Sequence, residues 1–180
     1  MYKKTSILLA FIGFSNLTNA SIWVGGDANC DYSSIQPAID ALLISNEYDL
    51  RIANNNAGNG IYLENLTVVN NQSDFKHIKG GYDQCGGNET EVNTVIDGGG
   101  SAPVMNISGD DTLQNLSLSN LSLTNGVYDA NFHAGGLNIE DDHLSISLNR
   151  VRVSSNQGYY GGGIFSNGGS NLDFRLYNSL

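Results

Sequence analysis

The stretch Leu116-Ser117-Leu118-Ser119-Asn120-Leu121-Ser122-Leu123-Thr124-Asn125 returns with the same pattern as Ile146-Ser147-Leu148-Asn149-Arg150-Val151-Arg152-Val153-Ser154-Ser155-Asn156. It begins again at Phe174-Arg175-Leu176-Tyr177-Asn178. Ile146 follows Leu116 by 146 − 116 = 30 positions, and Phe174 follows Ile146 by 174 − 146 = 28. A turn of two glycines and an aliphatic residue, Gly135-Gly136-Leu137, comes back as Gly162-Gly163-Ile164 after 162 − 135 = 27. A recurrence of roughly 20 to 50 residues marks stacked units, none of which can bury its apolar face alone. Within each unit apolar and polar residues alternate, the period of a strand with one buried face. The pattern therefore predicts an all-β solenoid of short strands lying parallel, coil over coil.

Leu50–Ala53, Ile61-Tyr62, Leu66–Val69, Phe75–Ile78, Thr94–Asp97 and Pro103–Ile107 read as further short strands, with a turn at Gly80-Gly81-Tyr82-Asp83. Asn and Gly between them suit corners, since both tolerate left-handed backbone. The one helix reads at about residues 33–45, where Ile35, Ile39, Leu42 and Leu43 form a single stripe. Ser34 is its expected N-cap, and Pro37 falls in the first turn, where no N–H is needed. A lone helix ahead of the strands is suited to covering the open first coil. An antiparallel sandwich, which also alternates with frequent turns, is the rival architecture.

Residues 1–20 carry Lys3 and Lys4, an apolar run from Ile7 to Phe14 and a small residue at Ala20, the order of a secretory signal peptide. A domain from 21 to 180 would then be exported, with no transmembrane segment. Export places Cys30 and Cys85, the only cysteines, where a disulfide persists, and they are expected to pair. The formal charge of −10 becomes −12 without Lys3 and Lys4, which disfavours nucleic acid, anionic lipid and polyanionic sugars.

At this point the residues resemble a family: the right-handed parallel β-helix repeat proteins of bacterial cell envelopes, pectate-lyase-like in fold. The matching pieces are Val24-Gly25-Gly26 with Cys30, Tyr32–Ile39, Gly60–Val68, Gly80-Gly81-Tyr82-Asp83-Gln84-Cys85, Val95-Ile96-Asp97-Gly98, and the turns at Gly135 and Gly161. The glycine turns are also similar to those of polymorphic outer-membrane adhesins and autotransporter passengers. The resemblance implies a cap at the start and a fold specific enough to name, but no activity. Such proteins carry more coils and a C-terminal cap or anchor. Here the sequence stops at Asn178-Ser179-Leu180, which reads as an incomplete coil able to associate through its open end.

Carbohydrate-cleaving β-helices need two carboxylates for hydrolysis, or calcium-binding acids with a base for elimination. The acid clusters here, Asp110-Asp111 and Glu140-Asp141-Asp142-His143, read as turns. Glu140, Asp141 and Asp142 are weak calcium candidates, since neighbours on an extended chain point to opposite sides. Arg150 and Arg152 read as one strand face, and His133 as a loop residue facing Asp129. The clearer signal is aromatic: Tyr128, Phe132, Tyr159 and Tyr160, with His133, sit in loops joining coils, where exposed rings suit sugar stacking or protein contact. No cofactor and no catalytic residue are expected. The reading is an exported, non-catalytic β-helix binding glycan or a surface protein through its lateral face. A polysaccharide lyase or hydrolase, and a truncated fragment without activity, stand as alternatives.

Overall fold

A computed structural model describes residues 21–56, 58–70, 75–109, 114–127, 133–141, 143–167 and 173–179. Its strands are β1 (Ile22–Val24), β2 (Asp49–Ala53), β3 (Ile61–Leu63), β4 (Leu66–Asn70), β5 (Phe75–Tyr82), β6 (Thr94–Asp97), β7 (Met105–Gly109), β8 (Gln114–Ser119), β9 (Leu121–Thr124), β10 (Leu137–Glu140), β11 (Leu144–Asn149), β12 (Arg152–Ser154), β13 (Ile164–Ser166) and β14 (Asp173–Tyr177), with one helix, α1 (Ile35–Ile44). They form three sheets: sheet A, β1-β2-β5-β8-β11-β14; sheet B, β3-β6-β9-β12; sheet C, β4-β7-β10-β13. Every ladder between named strands is parallel, as a solenoid requires and an antiparallel sandwich forbids.

The register follows the repeat spacing: Leu116 pairs with Ile146 and Ile146 with Phe174, while Leu137 pairs with Ile164. Alternation then sends one set of side chains inward. Leu50, Ile78, Leu118 and Leu148 line up inside sheet A, Tyr62, Ile96 and Leu123 inside sheet B, and Met105, Leu137, Val68, Ile107 and Ile139 inside sheet C. At about 25 cal/mol per Å² of apolar surface removed from water, these ladders are the dominant stabilising term. Lys76 breaks the pattern: it is fully buried on the line of Leu116 and Ile146. Its Nζ donates to Ser45 O (3.1 Å) and Glu47 O (2.8 Å) just past the C-terminus of α1, where carbonyls lack helical partners.

The helix packs Ile35, Ala38, Ile39 and Leu42 onto the first coil. Its N-terminus places Ser34 at the N-cap, as expected, with extended backbone but without the side-chain bond that residue usually makes. Glu64 caps the helix from the next coil instead. Its carboxylate accepts from Ile35 N (2.8 Å) and Gln36 N (2.9 Å), placing a full negative charge where the helix end is positive. Glu64→Ala is expected to cost about 1–2 kcal/mol, as for loss of a good cap, and Ser34→Ala close to nothing. Thermal unfolding of the two variants checks this.

Two expectations change. Gly80–Tyr82 is not a turn but the end of β5, with a register shift against β2 where Gly81 takes φ +83. The glycines there serve a bulge in a continuing strand. Arg150 does not share a strand with Arg152; it forms the corner between β11 and β12 with φ +55. The equivalent corners carry Asn120 (φ 53) and Asn178 (φ 48), and the next corner carries Asn125 (φ 57) in one coil and Ser155 (φ 58) in the following one. Left-handed backbone costs roughly 1–2 kcal/mol for side chains that gain nothing local from it, so Asn is the expected corner residue and Arg150 and Ser155 are departures.

Asparagine amides also satisfy the corner carbonyls. Asn93 Nδ2 donates to Leu121 O (3.1 Å) and Arg150 O (2.9 Å), and Asn156 Nδ2 to Leu123 O (3.0 Å). A side chain on Gly135 would strike the carbonyl oxygens of Gln157 and Gly126 in adjoining turns, which is why the repeat keeps glycine there. Cys30 and Cys85 are joined, Cα–Cα 5.3 Å, tying the segment after β1 to the loop after β5. Among the described residues no helix is long and apolar enough to cross a membrane. In the last coil Leu176 and Ile164 are exposed beside a cavity of about 290 Å³ that Leu148, Val151 and Val153 also line.

Candidate functional site

Two surface features gather polar and aromatic chemistry. The first lies on the outer side of sheet C. Parallel register places Asn106, Asn138 and Phe165 in one outward row, and Ser108 and Glu140 in the next. Residues preceding β10 fold back over this face, bringing His133 onto it. The His133 ring lies 4.4 Å from Phe165 and 5.2 Å from Tyr160, centroid to centroid, and Tyr159 meets Tyr160 edge-on at 4.8 Å. Tyr159 and Tyr160 are 71% and 68% exposed, so the ledge presents ring surface to solvent.

Amides and one acid underlie the rings. Asn138, fully buried, donates through Nδ2 to Asn106 Oδ1 (2.8 Å) and Glu140 Oε1 (2.9 Å), and its Oδ1 accepts from His133 N (3.3 Å). His133 Nδ1 is buried without a hydrogen-bond partner among the described residues, 3.8 Å from Glu140 Oε1. Rings with amides and a carboxylate beside them match the composition of a sugar-stacking surface.

Of the residues expected at the site, His133, Tyr159 and Tyr160 come together. Tyr128 and Phe132 lie outside the described residues, as do Asp129, Asp110, Asp111 and Asp142. Glu140 and Asp141 part company: Glu140 ends β10 on the outer face, while Asp141 is buried and its Oδ1 accepts from His143 N (2.8 Å). Among the described residues the one group of three potential metal-ligating side chains is Asp27, Cys30 and Cys85, whose sulfurs are taken by the disulfide. Phe165, Asn138 and Asn106 were not anticipated. For Asn138 and Phe165 alternation through the repeat carries a signal, because the position after a Gly-Gly-aliphatic turn faces outward; Asn106 follows no such turn and is placed only by its register with Asn138.

The second feature is a groove of about 760 Å³ on sheet B, lined by Glu91, Asn93, Ser122, Arg150, Arg152 and Ser154, among others. Arg150 reaches Glu91 O (3.1 Å) and Oε2 (3.0 Å). Beside it Glu89 takes Nδ2–H of Asn120 (2.6 Å) and pairs with Lys79 (2.6 Å). The hydrogen bond from Lys79 is the main reason its carboxyl lies below the usual range; partial burial opposes this and the Asn120 bond adds to it. The groove's acids are thus engaged with cations. Among the described residues neither feature brings two free carboxylates together across a space where a glycosidic bond could sit. Comparison with protein-family models, curated proteins and solved structures finds no match.

Proposed function

We propose that this protein is an exported surface β-helix of the adhesin or passenger kind, and that it binds glycan without cleaving it through the aromatic ledge on sheet C. The observation that carries this reading is the pair of exposed tyrosine rings set against Phe165 and His133, over the hydrogen-bonded amides of buried Asn138 and half-buried Asn106. Monomeric proteins seldom leave large rings in contact on a polar surface unless something stacks on them. The signal-like leader and the disulfide support export, since both belong to an oxidising compartment. The glycine turns that resemble those of pectate-lyase-like envelope proteins support the surface location.

A glycan array probed with the purified protein, with and without calcium, tests the proposal. Saturable binding to at least one glycan is expected, unchanged by calcium removal. Tyr160→Ala should weaken it about tenfold, the scale of one lost ring contact with its buried area, while leaving the melting temperature near that of the parent. Binding unaffected by Tyr160→Ala, or release of new chain ends from any polysaccharide, would contradict it.

A further inference from the structure

We infer that the groove on sheet B is an anion site that receives one carboxylate carried on an otherwise neutral sugar chain. It lies on a different sheet from the aromatic ledge and stands if that ledge proves inert. The chain has 8 Lys and Arg against 18 Asp and Glu, so acids outnumber cations over the sequence as a whole. Arg51, Lys79, Arg150 and Arg175 each pair with one, and Lys76 is buried. Arg152 is exposed and, among the described residues, is the one surface lysine or arginine with no acidic partner. An unpaired guanidinium on so acidic a surface is an open position for a carboxylate, which it can engage through two parallel N–H donors.

The neighbouring corner supports the same assignment. In the flanking coils this left-handed position carries Asn120 and Asn178, residues that suit it, whereas the coil bearing Arg152 carries Arg150. Strain retained where a better residue is available two coils in three points to a use for the side chain. Arg150 delivers its guanidinium to the same groove as Arg152, and its only acid there is Glu91, whose side chain is 95% exposed. An ion pair this exposed on the acid's side is worth little, so an incoming carboxylate can replace the Glu91 carboxylate while the bond from Arg150 to Glu91 O stays in place.

Ligand class follows from charge and lining. The formal charge of −10 repels polyanions at long range, so a ligand with a single acid is favoured over a polyuronate. Ser122 and Ser154 place hydroxyls beside the arginines and Val151 and Val153 supply apolar surface, a mixed lining that suits the hydroxyls and C–H faces of a sugar ring.

The test is titration calorimetry of the purified protein with sialyllactose, lactose, a glucuronate-terminated disaccharide and a triglutamate peptide. One or both acidic sugars should bind saturably and lactose at least about tenfold more weakly, the scale of a charge-assisted hydrogen bond. Arg152→Gln should remove that preference at unchanged melting temperature, and Glu91→Gln should strengthen it a few-fold. Arg150→Asn should weaken acidic-sugar binding while raising the melting temperature, a split that a merely structural arginine would not show. No binding of either acidic sugar, equal binding of lactose, a preference that survives Arg152→Gln, or tighter binding of triglutamate would each overturn the inference. Tyr160→Ala, tested in parallel, should leave the acid preference intact, which separates failure of this groove from failure of the ledge.

Discussion

Leu118→Asp is expected to abolish the cooperative unfolding transition, whereas Ser117→Asp, one residue away, should change stability by no more than about 0.5 kcal/mol. Leu118 is wholly buried in the central ladder, between Ile78 below and Leu148 above. Losing a buried leucine costs about 2–5 kcal/mol, and forcing a carboxylate into its place costs several more. Together these approach the roughly 5–15 kcal/mol that holds a domain folded. Ser117 points the other way, between His77 and Ser147 on the outer face, where a carboxylate keeps its water. Circular dichroism melts of both variants decide the matter. Equal damage from the two would mean that the strand does not alternate between core and solvent.

Removing the disulfide, by Cys30→Ala with Cys85→Ala, is expected to have the second largest effect. The bond closes a sequence separation of 55 residues. The chain-entropy model assigns such a loop about 4 kcal/mol. For a domain of this size that corresponds to a fall of roughly 8–16 °C in melting temperature. The loss should also be local. Cys85 packs with Ala53 and Tyr82 against Trp23, and Tyr82 meets Trp23 edge-on at 4.9 Å, with the Arg51 guanidinium 5.4 Å from the indole. Hydrogen exchange should therefore speed up first in β1 and β2 and least in β8 and β11. A melting temperature within about 2 °C of the parent would show that folding and packing already hold this end of the chain.

The spacing of apolar residues was enough to read the coil register, because in a parallel stack each repeat lies over the one before and sequence offset becomes spatial position. Leu116, Ile146 and Phe174 show this directly. Local patterns were less informative where a distant group took over a local task. Ser34 looks like a cap, but Glu64, 64 − 35 = 29 positions beyond the first helical residue, has the charge and the reach to replace it. Gly80-Gly81 looks like a turn, but its neighbours in β2 keep the strand going through a bulge. Arg150 and Arg152 look like one strand face because alternation was extended across a corner that a left-handed residue interrupts. At the candidate site the loop rings were visible as exposed aromatics. Phe165, Asn138 and Asn106 were missed because their roles appear only when three coils are laid side by side.

The most direct measurement of the stacked, parallel coil is a set of NMR contacts along sheet A in selectively labelled protein. Backbone cross-peaks are expected between residues whose numbers rise together: Asn115 with Ser145, Ser117 with Ser147, Ser119 with Asn149, and onward from Ser147 to Arg175. Cross-peaks in which one number rises as the other falls, such as Asn115 with Asn149 alongside Ser119 with Ser145, would contradict it.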